Sequence, residues 1–187
     1  MTTGLLIIDF QNDYYSSFDG AKMPLSGTEL ASQNAAKLME VFRAANNPIF
    51  HVRHEFATQD APFFAPDTTG SEIHHSVAPT SNEVVVVKNQ INSFRDTNLA
   101  ELLEAKGVQR LVIVGAMSHM CIDAGVRAAT DLGFECLLAH DACATLDLEF
   151  NGKVVTAEQV HNAFMAALSF GYCNVDSTDN LINLLTA

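Results

Sequence analysis

The chain has 187 residues, 48% apolar and 17% charged, a balance that fits one globular domain with a sizeable core. Its formal net charge of −12 weighs against nucleic-acid and anionic-membrane partners, which need clustered Lys and Arg. No apolar run approaches the ~20 residues that span a bilayer, and the opening "MTTGLLIID" lacks a basic leader and a cleavage site, so a cytoplasmic protein is expected.

Residues 4–8, "GLLII", read as a short buried strand. A helix follows over 28–45, with Ala31, Ala35, Leu38, Phe42 and Ala45 at helical spacing. "NNP" ends it, and "PIFHVRH" is the second strand. Residues 55–82, rich in Pro, Thr, Ser and Asp, form the longest irregular segment, a length usually tied to function or mobility. "EVVVVK", 83–88, is the third strand, and 98–106 a helix stopped by Gly107. "RLVIVG" is a fourth strand, apolar on both faces. A helix from about Cys121 to Leu132 stops at Gly133, and "FECLLAHD" is the fifth strand. Thr156 and Gln159 form a candidate capping box before a helix whose apolar face carries Val160, Ala163, Phe164, Ala167 and Leu168. "CNVDS" reads as a short sixth strand before a last helix. Strands alternating with helices, several of them continuously apolar, predict a three-layer αβα domain over 3–186 with a mostly parallel, Rossmann-like six-stranded sheet.

In such sheets ligands bind beyond the carboxyl ends of the strands. Asp9 follows strand one, Lys88 ends strand three, and Cys121 lies just past strand four. Taken singly, each has a plainer explanation: a turn-capping Asp, an exposed strand-end Lys, a small buried Cys. Together they place a base, a cation and a nucleophile at one crevice. At the first turn of a helix, free N–H groups and the dipole favour a thiolate, and a nearby Lys88 would lower the thiol pKa further. Asp9 would accept the thiol proton and return it to a leaving amine. The segment Gly115–Met120 would aim backbone N–H groups at an oxyanion. The other cysteines, Cys136, Cys143 and Cys173, form no C-x-x-C pair and read as buried, inert thiols in a reducing compartment.

"LLIIDFQND", "VVVVKNQINSF" and "VIVGAMSHMCIDAGVRAATDLGFECLLAHDACAT" together resemble the isochorismatase-like cysteine hydrolases, a family that includes nicotinamidases, N-carbamoylsarcosine amidase and isochorismatases. The resemblance spans nearly the whole chain, with the three motifs in the family's order. It implies an Asp9–Lys88–Cys121 triad. It also implies a non-proline cis peptide at Ala116–Met117, which would turn the Met117 N–H toward an oxyanion hole shared with the Cys121 N–H. Gln11, in the family's Asp-x-Gln pattern, would position Asp9 or the substrate. No cofactor is implied, and a homo-oligomer, dimer or tetramer, is.

The chain also departs from its relatives. Nicotinamidases carry an Asp-x-His metal motif after the second strand, whereas this chain has "FHVRHEF", with His51 and His54 but no such Asp. A structural or substrate-facing role for these histidines is favoured over a metal. His74 and His75, in "GSEIHHSV", resemble a family segment near the pocket mouth and read equally as loop histidines. Phe94, Met117, His119 and Met120 are candidate pocket residues, with His119 the polar substrate contact or a surface histidine. Asp141 is expected to organise the loop after strand five. The reading is a metal-independent hydrolase of a C–N bond in a small non-peptide amide. A vinyl ether hydrolase and a silent binding domain are the alternatives.

Overall fold

The structure is a computed structural model describing residues 1–187. Six parallel strands form one sheet in the order β3-β2-β1-β4-β5-β8. These are β1 (Thr2–Ile8), β2 (Ile49–His54), β3 (Val84–Lys88), β4 (Val108–Ala116), β5 (Glu135–Ala144) and β8 (Asn174–Asp176). The connecting helices are α1 (Thr28–Ala44), α2 (Leu99–Ala105), α3 (Asp123–Asp131), α4 (Ala157–Gly171) and α5 (Thr178–Thr186). This is the three-layer α/β architecture that the alternating pattern predicts.

Period-two alternation divides the core. Leu5, Ile7, Val112 and Val114 face a cluster under α1 and α5, where Leu38, Phe42 and Leu181 are buried. Leu6, Ile8, Leu111 and Ile113 face the opposite cluster, where α2, α3 and α4 bring Leu103, Val126 and Leu168. Both faces of the central strands are therefore dry, which explains their unbroken apolar sequence.

Strand order turns around β1. The chain runs outward through β2 and β3, then returns to place β4 on the other side. The connections leaving β1 and β4 therefore part in opposite directions, opening a crevice at their carboxyl ends. β1 and β4 also approach closely there. Gly115 has φ +136°, and a Cβ on it would overlap the Ile8 carbonyl oxygen.

Three details differ from the sequence expectation. The helix carrying Cys121 starts earlier, with a single π-turn over Ser118–Ile122 in which the Ile122 N–H donates to the Met117 carbonyl at 3.2 Å. β5 runs on to Ala144, and an antiparallel hairpin, β6 (Leu148–Phe150) and β7 (Lys153–Val155), precedes α4. The buried stripe of α4 is Val160, Met165 and Leu168, while Ala163 and Ala167 face outward. The helix packs on the π-turn, α3 and the edge strand β8, which leaves Ala163, Ala166, Ala167 and Phe170 on its exposed side. Its capping box is present in full: the Gln159 N–H donates to Thr156 Oγ1 at 3.3 Å and the Thr156 N–H to Gln159 Oε1 at 3.1 Å.

Gly115→Ala should destabilise the fold by at least about 3 kcal/mol in urea unfolding, because both the backbone conformation and the space forbid a side chain. Thr156→Ala, which only loses a cap, should cost about 1 kcal/mol.

Candidate active site

β1, β3 and β4 end on the same side of the sheet, and the residues that follow meet there. Asp9 comes directly after β1 with φ 56°, anchored by its N–H to the Val52 carbonyl. Lys88 is the last residue of β3, and Cys121 sits in the π-turn after β4. Lys88 Nζ lies 2.8 Å from Asp9 Oδ2 and donates to Cys121 Sγ at 3.2 Å. It also contacts His54 Nδ1 at 3.1 Å and donates to the Gln90 carbonyl at 3.1 Å. Asp9 and Lys88 are fully buried and Cys121 is 6% exposed. Lys88 and Asp9 form a fully buried ion pair. The Ala116–Met117 peptide is cis, where the family resemblance puts it.

The electrostatics correct one expectation. Burial pushes the Cys121 thiol up, Asp9 pushes it further, and Lys88 only partly offsets them. A thiolate here would be a second buried anion beside a single cation, a cost that outweighs the dipole of one helix turn. The resting sulfur is therefore a thiol. Burial alone would lower the Lys88 pKa, but Asp9 and Cys121 together hold it above its ordinary value, so the ammonium keeps its proton. Burial, then the Lys88 charge, depress His54, which is neutral. Burial, then Asp9 and Cys121, raise the Tyr14 phenol well above its ordinary value.

Above these groups is a cavity of about 280 Å³. Tyr14, Phe56, Phe63, Ile91, Met117 and Met120 make its walls, with Asn89 and Gln90 beside them. Asp9, His54 and Cys121 also line it, and Asp9 is the one charged residue of the lining. Four roomier clefts, the two largest beside Arg43 and Glu83 and beside Arg53 and Glu72, contain none of the three clustered groups.

Met117 thus lines the cavity, but not every residue picked from the sequence does. Phe94 stacks near Phe134, ring centroids 6.3 Å apart, in the cluster under α2–α4. His119 turns away: its Nδ1 is 2.7 Å from Thr145 Oγ1 and its ring meets the Phe164 edge. Neither is a cavity residue: Phe94 packs into the core beside Phe134, and the π-turn carries His119 toward Thr145 and Phe164. Gln11 is buried and does not reach the cavity. Its Nε2 donates to the carbonyls of His54 (2.8 Å) and Ser71 (2.7 Å), and its Oε1 accepts from the His54 N–H (2.7 Å). It pins the loop after β2 rather than touching substrate space.

His51 and His54, three apart on β2, face opposite sides of the sheet. His51 Nε2 is 3.0 Å from Glu83, and no three His, Cys, Asp or Glu residues cluster as metal ligands do. The residues do not fit a nicotinamidase-type metal. His74 stacks on Tyr15 and bonds Ser76, outside the cavity lining. Asp141 lies within β5 rather than in a loop after it, and its Oδ1 accepts from the N–H and hydroxyl of Thr178 at the start of α5. The remaining walls, Tyr14, Phe56, Phe63 and Ile91, are marked as cavity residues by no motif in the sequence. Two sit in the irregular loop, and the only signal was the density of aromatics around it.

Fold and cleft together define a class: a parallel α/β protein whose buried cysteine, lysine and aspartate meet at a sheet switch point under a small apolar cavity. The sequence profile of the isochorismatase domain family matches residues 3–169. YddQ, an isochorismatase family protein of Bacillus subtilis strain 168, is 51% identical over 179 residues, 96% of this chain and 98% of that one. A crystal structure from Oleispira antarctica, assigned to the isochorismatase hydrolases, superposes with TM-score 0.95 at 62% identity, covering 97% of this chain and 96% of its own. A streptothricin hydrolase of Streptomyces noursei is 35% identical over 144 residues, 77% of this chain and 50% of the hydrolase. The chain belongs to the isochorismatase family and is a hydrolase of that family.

Asp9→Asn removes an anion that raises the thiol pKa and leaves the cation that lowers it. Cys121 should therefore ionise at lower pH in this variant, read from thiolate ultraviolet absorbance with Cys121→Ala as the blank. An unchanged or higher value would mean that burial alone governs the sulfur.

Proposed function

We propose that the protein hydrolyses a C–N bond of a small non-peptide amide through a Cys121 thioester. The observation that carries this reading is the Lys88 ammonium, buried beneath the cavity within 3.2 Å of the Cys121 sulfur and 2.8 Å of the Asp9 carboxylate. Cys121 Sγ attacks the carbonyl carbon while Asp9 takes its proton. Lys88 stays charged and balances whichever of the two groups is negative. The oxyanion is received by the N–H groups of Met117 and Cys121. Asp9 then passes the proton to the nitrogen, the C–N bond breaks, and the amine or ammonia departs. Water, deprotonated by Asp9, attacks the thioester, releasing the acid and restoring the thiol.

A neutral resting thiol supports this sequence, because the proton that Asp9 later delivers is already in the site. The cavity lining favours an amide over isochorismate, since a carboxylate substrate would be desolvated with no positive side chain in the walls to meet it. We further propose a cytoplasmic setting, which would keep the four free cysteines reduced. Self-assembly is supported by the exposure of Phe150, Val154 and Phe170, side chains that a second copy would cover.

In an ammonia-release screen of small amides, Cys121→Ala should lose all measurable turnover. Asp9→Asn should fall by at least ~10²-fold despite its more acidic thiol. Retained activity in Cys121→Ala would reject the nucleophile. Isochorismate should not be consumed, and turnover that survives in Cys121→Ala would move the reading to ether hydrolysis. Light scattering after size exclusion should give a dimer or tetramer, and a monomer at micromolar concentration would reject assembly.

A further inference from the structure

The two donors assigned to the oxyanion, the N–H groups of Met117 and Cys121, are the ends of one short segment, and residues between them are gripped from outside it. The turn's own backbone bonds close on a single atom: the Met120 and Ile122 N–H groups both donate to the Met117 carbonyl, at 3.0 and 3.2 Å. Such π-turns are rare and occur mostly at functional sites. Side chains supply further support. Ser118 is fully buried; its Oγ lies 2.8 Å from His161 Nδ1 on α4 and donates to the Ala144 carbonyl at 3.4 Å. His119 Nδ1 is 2.7 Å from Thr145 Oγ1. Thr145 is itself buried, and its carbonyl accepts from the Ser26 N–H at 2.9 Å. His161 and Thr145 line a separate cleft of about 310 Å³, and neither reaches the substrate cavity. Burial lowers the pKa of both histidines, helped at His161 by His140, so each clamp is neutral.

We propose that Thr145 and His161 are positioning residues: acting through His119 and Ser118, they set the curvature of segment 117–121 and so aim its two N–H groups at one point. The proposal rests on the oxyanion site of the proposed function. Donors held in place act most strongly where charge develops, because they need no rearrangement at that moment. A donor that swings loses this advantage in the transition state while the ground-state fit of the substrate is kept.

Two pairs of substitutions separate a hydrogen-bonded clamp from packing. Thr145→Val keeps the shape and loses the hydroxyl, whereas Thr145→Ser keeps the hydroxyl and loses a methyl. His161→Leu loses the ring nitrogen, whereas His161→Asn puts an amide group in place of Nδ1. The readout is adduct formation with acetaldehyde isotopically labelled at its carbonyl carbon, followed by carbon NMR with Cys121→Ala as the blank. The Cys121 sulfur bonds to the carbonyl carbon, the thiol proton passes to the oxygen, and that oxygen takes the place of the oxyanion. Thr145→Val and His161→Leu should weaken the adduct at least about tenfold, while Thr145→Ser and His161→Asn stay within about threefold of the wild type. With any amide that the wild type hydrolyses, the first two should lower kcat by a similar factor and leave KM within about twofold. Four variants alike, a valine that binds better than the serine, a loss carried by KM, or no adduct in the wild type would each overturn the proposal. Should one variant fail to fold, the other pair decides. If the adduct series holds while no amide is hydrolysed, the amidase reading fails and the clamp stands; if amides are hydrolysed and the variants are alike, the clamp fails and the amidase reading stands.

Discussion

A single ammonium organises this molecule. Lys88 Nζ is removed from water, and the desolvation of such a group costs several kcal/mol unless its surroundings restore the lost contacts. Here they do so with three hydrogen bonds and one ion pair, drawn from β1, the end of β2, the turn after β3 and the π-turn after β4. The same contacts that make the burial tolerable bring sulfur and carboxylate together. Structure and chemistry therefore share one constraint, and the four strands cannot slide relative to one another without exposing or unpairing the charge.

Strand ends were readable where elementary periodicity decides the outcome. A parallel sheet puts every strand's carboxyl end on one side, so Asp9, Lys88 and Cys121 had to project into one region once the strands were assigned. The capping box at Thr156 and Gln159 was equally legible, because its partners are three residues apart. What escaped was set by distant contacts. The walls contributed by Phe56 and Phe63 depend on how an irregular segment folds back over the sheet, and no local spacing encodes that path. Phe94 and His119 looked like pocket residues by proximity in sequence to Lys88 and Cys121, but the backbone turns carry both away. The protonation of the sulfur also escaped, because the local helix dipole is outweighed by burial and by a carboxylate more than a hundred residues away.

Membership in the isochorismatase family fixes the scaffold and leaves the specificity open. The floor of the cleft is built from strand ends held in hydrogen-bonded register, whereas the roof comes from segments without regular structure. Floor and roof are thus determined by different kinds of interaction, one backbone-driven and one side-chain-driven. Relatives that share the first can differ in the second, which is why overall similarity says less about the substrate than the handful of residues above Cys121.

The short run Gln11–Asn12–Asp13 fastens the long loop at several points. Gln11 grips His54 and Ser71, Asn12 Nδ2 donates to the Thr69 carbonyl at 2.7 Å, and Asp13 accepts from the Phe64 N–H at 2.7 Å. Gly70 packs so tightly on the Asp13 carboxylate that any side chain there would collide with it. Between these rivets the stretch 56–63 makes no backbone hydrogen bond to a strand. Insertions or exchanges in that span would reshape the chamber's ceiling while the anchors absorb the change, giving evolution, or a protein engineer, a replaceable cartridge mounted on an unaltered reaction centre.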